Sequence, residues 1–168
     1  MIYLIPLISF LGLILGNIFY YVAKEEIWYS KFWYNLLMRI LLLSIAGVLV
    51  YSLEFNWLLL VGFVLGLFLA GYISIWVYFG ISLLVSYFIG INILFLISSL
   101  VFIYGLPYGT LMRRVNLLQF LYLFLLFVVP LLLYFSVTYI GHELFLGFAV
   151  AGLIRNILEG IKMFESHT

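Results

Sequence analysis

FNWLLLVGFVLGLFLAGYISIWVYFGISLLVSYFIGINILFLISSLVFIYGLPYGTLM, Phe55 to Met112, runs for 58 residues without a charged side chain, and Glu54 and the pair Arg113–Arg114 close its two ends. As one continuous helix it would be about 87 Å long, nearly three times the roughly 30 Å of a bilayer's hydrocarbon core. It has to fold back, and the number of reversals decides the architecture. Two full spans fit, for example 57–79 and 81–104 with a turn at Gly80. Three short or tilted spans also fit, punctuated by Gly71 and Gly90.

The composition around this stretch makes the bilayer the expected solvent. The chain has 168 residues, of which 68% are apolar and 8% charged, and its mean hydropathy is +1.36. A soluble domain of this length is about half apolar and a quarter charged. It could not hide so much hydrocarbon, because exposed apolar patches beyond a few hundred Å² are rare on soluble monomers. The net charge is +1 and no more than two basic residues are adjacent, so nucleic acid is excluded as a partner. With no cysteine, disulfides, thiolate metal sites and cysteine nucleophiles are excluded together.

Outward from the uncharged stretch, the flanks read as further spans. Residues 2–22 lack the basic start and small-residue cleavage site of a signal peptide and are expected to form a retained first span. Residues 24–35, KEEIWYSKFWYN, mix charge with Trp28, Tyr29, Trp33 and Tyr34, the composition of an interfacial connector. A second span is predicted over about 34–53. Beyond the arginine pair, residues 116–140 form a long span with Pro130 near its middle, where a lost donor and a clash with the Leu126 carbonyl predict a kink. Gly141, His142 and Glu143 make a polar turn, and 144–163 crosses back.

Positive residues collect in short cytoplasmic loops. With two spans between Phe55 and Met112, the basic residues divide three against four between the two faces. With three, all seven (Lys24, Lys31, Arg39, Arg113, Arg114, Arg155 and Lys162) fall on one face, and Glu54, His142 and Glu143 are left on the other. The charge pattern therefore favours an odd number of crossings. The fold class expected is all-α, a polytopic transmembrane helix bundle of six to seven spans in one integral membrane domain, 1–168. Its middle third holds three thin spans, or one full span and two re-entrant half-helices. With seven spans, the N terminus lies outside and the C terminus in the cytoplasm of a multi-pass cell-membrane protein. YGLPYGTLMRR, 104–114, is then a cytoplasmic turn in which Gly105 and Pro107 end one helix, Thr110 caps the next and the arginines anchor it. Lys24 and Lys31 anchor the first connector in the same way.

Small residues recur at helical spacing in three segments: Gly12 and Gly16; Gly62, Gly66 and Ala70; Gly147 and Ala151. Such rows let helix backbones approach closely. The strings LGLIL, 11–15, and LGLFL, 65–69, match at four of five positions, either a trace of duplication or the coincidence that so restricted an alphabet allows. In the last span, Arg155 and Glu159 continue the stripe of Gly147 and Ala151 at four-residue steps. They form either a solvated ion pair at the interface or a pair drawn into the bundle, where ionisable residues carry function. Arg39 either snorkels back to the first connector or faces the interior. Asn92, just after Gly90, either satisfies backbone groups freed by a break or faces a small cavity. Ser98 and Ser99 are expected to bond their own helix.

His142 and Glu143 are adjacent, and the chain has no aspartate to complete a metal shell. No HExxH, GxSxG, paired intramembrane aspartates or acidic Mg²⁺ cluster is present, and general acid/base work needs two tunable groups together. No catalytic role, cofactor or metal is expected. The reading is a non-catalytic membrane-embedded subunit or scaffold, with the lipid bilayer and a membrane protein partner, or further copies of itself, as its contacts. The alternative is a small permease or channel for an apolar or amphipathic solute. Convergence of Ser74, Ser82, Ser86 and Asn92 on a void would favour that alternative.

Overall fold

The computed structural model describes residues 4–22, 24–52, 55–112 and 117–165; the side chains of 24–29, 117, 135, 136, 139 and 159–165 lie outside the description. Among the described residues every regular element is a helix: α1 (Leu4–Val22), α2 (Lys24–Tyr51), α3 (Trp57–Leu69), α4 (Ile75–Ile89), α5 (Ile91–Leu111), α6 (Leu117–Leu132), α7 (Tyr134–Ile140) and α8 (His142–Glu165). Three stretches are long and apolar enough to cross a membrane: Leu4–Val22, Ser30–Tyr51 and Ile91–Leu111.

The 58-residue stretch divides into three helices, with breaks at 70–74 and at Gly90. Gly80 makes no turn and lies inside α4, because its missing side chain is used for packing. A Cβ there would collide with the Phe127 carbonyl oxygen and press on Pro130 of α6. Two of the three helices are short. α3 has 13 residues and α4 has 15, about 20 and 22 Å.

Four other expectations are corrected. The segment 24–35 is no separate connector, since α2 runs through it as 28 continuous residues. Gly105 and Pro107 do not end α5, which continues to Leu111 before the backbone turns extended at Met112. Gly105 and Gly109 are instead pressed against the α1 backbone, and Thr110, placed to cap the next helix, lies inside α5, where its hydroxyl donates to the Leu106 and Pro107 carbonyls behind it, at 2.8 and 2.9 Å. The kink expected at Pro130 is a break one turn later. The Leu133 N–H donates to the Pro130 carbonyl three residues back, at 3.0 Å, before α-type bonding resumes from Val137 to Leu133. Finally, only Gly141 of the 141–143 turn is non-helical; its φ of 108° is open to glycine at little cost, and α8 starts at once with His142.

Glycine contacts fix the helix directions. Gly12 faces the Phe102 carbonyl and Gly16, one turn on, faces that of Leu106, so α1 and α5 run parallel. Gly62 faces the Leu144 carbonyl and Gly66 that of Phe148, so α3 and α8 are parallel as well. The α4 side chains Trp76 and Phe88 meet Phe127 and Tyr134 in the same order, which makes α4 parallel to the α6–α7 segment. Against α5 the order reverses: Trp76 meets Tyr108 and Phe79 meets Tyr104.

α4 is the centre of the bundle. Residues 78–86 are buried without interruption, as is Trp76, and a helix apolar on all sides is one surrounded on all sides. Phe10 of α1 joins Trp76, Phe120, Phe124 and Phe127 at centroid distances of 5.2 to 5.4 Å, and Trp76 continues the cluster to Tyr108. All but the tilted Phe10–Phe127 pair are edge-to-face, and such pairs contribute about 0.5–1.5 kcal/mol each beyond their buried area. They tie α1, α4, α5 and α6 into one core.

Candidate functional site

The small-residue stripes pack inside the molecule. Gly12, Gly16, Gly62, Gly66, Ala70, Gly147 and Ala151 are all buried, and all but Ala70 lie in two seams built alike. Gly12 and Gly16 of α1 interlock with Gly105 and Gly109 of α5; Gly62 and Gly66 of α3 interlock with Gly147 and Ala151 of α8. In each seam, glycine lies directly against the carbonyl oxygens of the partner backbone, so the helices approach as closely as their main chains allow.

Each seam ends on a polar side chain that reaches the carboxyl end of a helix. Asn17 Nδ2 donates to the Met112 carbonyl across the α1–α5 seam at 3.5 Å. Across the other, Arg155 Nη1 donates to the Leu67 carbonyl and, at 3.4 Å, to that of Phe68, the last turn of α3. The last carbonyls of a helix lack intrahelical donors and carry the negative end of its dipole, so a guanidinium there is doubly favoured. Gly71 lies beside the guanidinium: a Cβ on it would stand 2.8 Å from Arg155 Nη2. Arg155 is thus turned toward α3. The Glu159 side chain, its expected partner, lies outside the described residues, as do the side chain of Lys24 and both Arg113 and Arg114.

The other candidates do not join this cluster. Asn92 is exposed in the first turn of α5, Arg39 is half-buried on α2, and Lys31 is exposed. Ser82 and Ser86 are fully buried, but each hydroxyl donates back to its own helix, Ser82 to the Tyr78 carbonyl at 2.7 Å and Ser86 to that of Ser82 at 2.5 Å. Ser82 and Ser86 are thus bonded within α4, while Asn92 lies exposed on α5. His142 Nδ1 and Glu143 Oε2 approach to 3.9 Å despite being adjacent. Among the described residues, no three His, Cys, Asp or Glu side chains gather as a metal shell would require.

Sequence reasoning passed over one place. Where α1 and α5 splay apart beyond Gly12, a groove of about 380 Å³ opens, with Ser9, Ser98 and Ser99 among walls of Ile5, Ile8, Phe95, Phe102 and Ile103. Ser9 donates to the Pro6 carbonyl at 2.5 Å and Ser99 to that of Phe95 at 2.9 Å. Ser98, expected to do the same, is 6% exposed and its Oγ has no hydrogen-bond partner. Its spacing was the available signal: Ser98, Phe102, Gly105 and Gly109 fall on one face of α5, the face that meets α1.

Compared with protein-family models, with curated proteins and with solved structures, the chain matches none of them.

Proposed function

We propose that the protein is a seven-span integral membrane protein with its N terminus outside, and that it is a non-catalytic, membrane-embedded subunit or scaffold of a larger complex. The observation that carries the reading is the densely buried, largely apolar centre. α4 is buried on every side, and its two serines are bonded to its own backbone. A path for a polar solute would require polar groups turned toward a cavity. The periphery has the opposite character: Phe32, Trp33, Tyr51, Phe68 and Tyr72 stand exposed, each by more than half of its surface. Apolar rings on that scale belong against lipid or a neighbouring protein.

Helix direction supports the span count. In a seven-span chain, α1, α3, α5 and α8 run one way and α2, α4 and α6 the other. The three parallel pairs, α1 with α5, α3 with α8 and α4 with α6, each join helices of one set, and α4 and α5 join opposite sets. α3 and α8 then end together at the cytoplasmic face, where Arg155 meets the last turn of α3.

The test is a crosslinking and native-mass inventory of what stays bound when the protein leaves its own membrane in mild detergent. A stoichiometric protein partner is expected. A lone chain with no protein partner and no second copy would overturn the scaffold reading.

A further inference from the structure

We infer that the exposed edge of α3 is a lipid contact that holds the bilayer thin, taking phospholipids whose paired acyl chains fill about 20 Å of hydrocarbon where a bilayer ordinarily has roughly 30 Å. The inference rests on the membrane reading and adds to it the chemistry of the lipid at one edge.

The thickness follows from where the helix stops. α3 packs on α8 through Gly62 and Gly66, and on its other side Leu60, Val61, Val64 and Leu65 are exposed. Before its amino end, Phe55 and Asn56 are non-helical and exposed, and the Asn56 side chain makes no capping bond to the helix. After its carboxyl end the chain is non-helical over 70–74. There Tyr72 is exposed, and the Gly71 and Tyr72 carbonyls accept no backbone hydrogen bond among the described residues. Irregular backbone facing lipid does not occur within the hydrocarbon, where nothing replaces water as its partner. Both loops therefore lie among headgroups or in water. Only Trp57–Leu69 is left for the acyl chains, 13 residues or about 20 Å. Tilting cannot recover the shortfall, since a tilted helix reaches less far along the bilayer normal.

The same surface names lipid as its occupant. Along α3, exposed rings come first at Phe55 and Trp57, then the aliphatic side chains, then rings again at Phe68 and Tyr72. Aromatic side chains at two interfaces with aliphatic ones between them are the banding that a bilayer imposes. α2 supplies the internal contrast. Its apolar stretch Ser30–Tyr51 has 22 residues, about 33 Å, and Leu43 near the middle is exposed. One edge of the molecule thus suits a bilayer of ordinary thickness and another a thin one.

The experiment places a bimane on Val64→Cys of α3 or on Leu43→Cys of α2, in the full chain reconstituted with brominated dioleoyl-phosphatidylcholine, which quenches a label it touches. Unbrominated dimyristoleoyl- or dioleoyl-phosphatidylcholine then competes for the surface. The expected result is that the short-chain lipid relieves quenching at Val64→Cys about 3- to 10-fold more effectively than the long-chain one, because mismatch costs a fraction of a kcal/mol per Å, and has no such advantage at Leu43→Cys. Equal competition by the two lipids at Val64→Cys, or the same preference at both positions, would overturn the thin edge and leave the membrane reading standing. So would quenching at Leu43→Cys but not at Val64→Cys, which would mean that a protein partner or a second copy covers α3. Release of the chain from vesicles by alkaline carbonate would overturn both.

Discussion

The α1–α5 and α3–α8 seams share a register and differ at their ends. Both are parallel pairs, both bring glycine against partner carbonyls at four-residue intervals, and both end with a side chain reaching a helix terminus. The first finishes on a neutral amide at 3.5 Å, the second on a guanidinium bridging two carbonyls. The last carbonyls of α3 lack donors within their own helix and carry the negative end of its dipole, a need that a charged group meets more strongly than a neutral amide. Arg155 supplies those donors from α8.

The comparison can be broken first at its common part. Gly12→Leu and Gly62→Leu each drive a side chain into a partner carbonyl that belongs to the backbone and cannot rotate away. Each is expected to cost about 3 kcal/mol or more, read as loss of thermal stability in detergent. A variant as stable as the parent would mean that the seams are not in contact. The ends separate next. Arg155→Ala is expected to cost about 2 kcal/mol, as for a hydrogen-bonded charged group, and Asn17→Ala about 0.5 kcal/mol. Equal losses would remove the distinction drawn between the two helix ends. The smallest effect serves as the control: at Gly47, on α2, a methyl group would meet nothing within 4 Å, so Gly47→Ala should stabilise by about 0.5–1 kcal/mol through helix propensity alone.

How much of this was legible in the sequence depended on whether a residue had one structural use or several. Gly71 and Gly90 could be read as breaks because the length of the uncharged stretch required breaks near them. Gly80 and Gly105 looked the same on paper, yet both lie inside helices, since a glycine that opens a turn and one that admits a neighbouring backbone leave the same mark. Composition separates α3 from α4 no better. WLLLVGFVLGLFL and IWVYFGISLLVSYFI are both apolar throughout, but only the second is buried on all sides. The usable difference is that α4 carries Ser82 and Ser86 at a four-residue step, hydroxyls that a helix in the middle of a bundle can satisfy on its own backbone.

The candidate site was legible in part. The stripe through Gly147, Ala151 and Arg155 follows from helical spacing, and the structure turns it toward α3. The destination of Arg155 was not readable, because its acceptors are main-chain carbonyls, which every sequence has in equal number. The same reason hid Ser98. Its sequence neighbourhood is that of Ser99, and only the tertiary seam shows that one hydroxyl finds a carbonyl and the other does not.

The chain has no cysteine, so single cysteines can report topology without background. The most direct measurement places one at Tyr72, between α3 and α4 and 90% exposed, and another at Phe55, between α2 and α3 and 84% exposed, then labels intact cells with a membrane-impermeant maleimide. If α3 crosses as proposed, Phe55→Cys is labelled from outside and Tyr72→Cys only after the cells are opened. Labelling of both from the same side would contradict the account, because α3 and α4 would then enter and leave one face and the chain would have five crossings instead of seven.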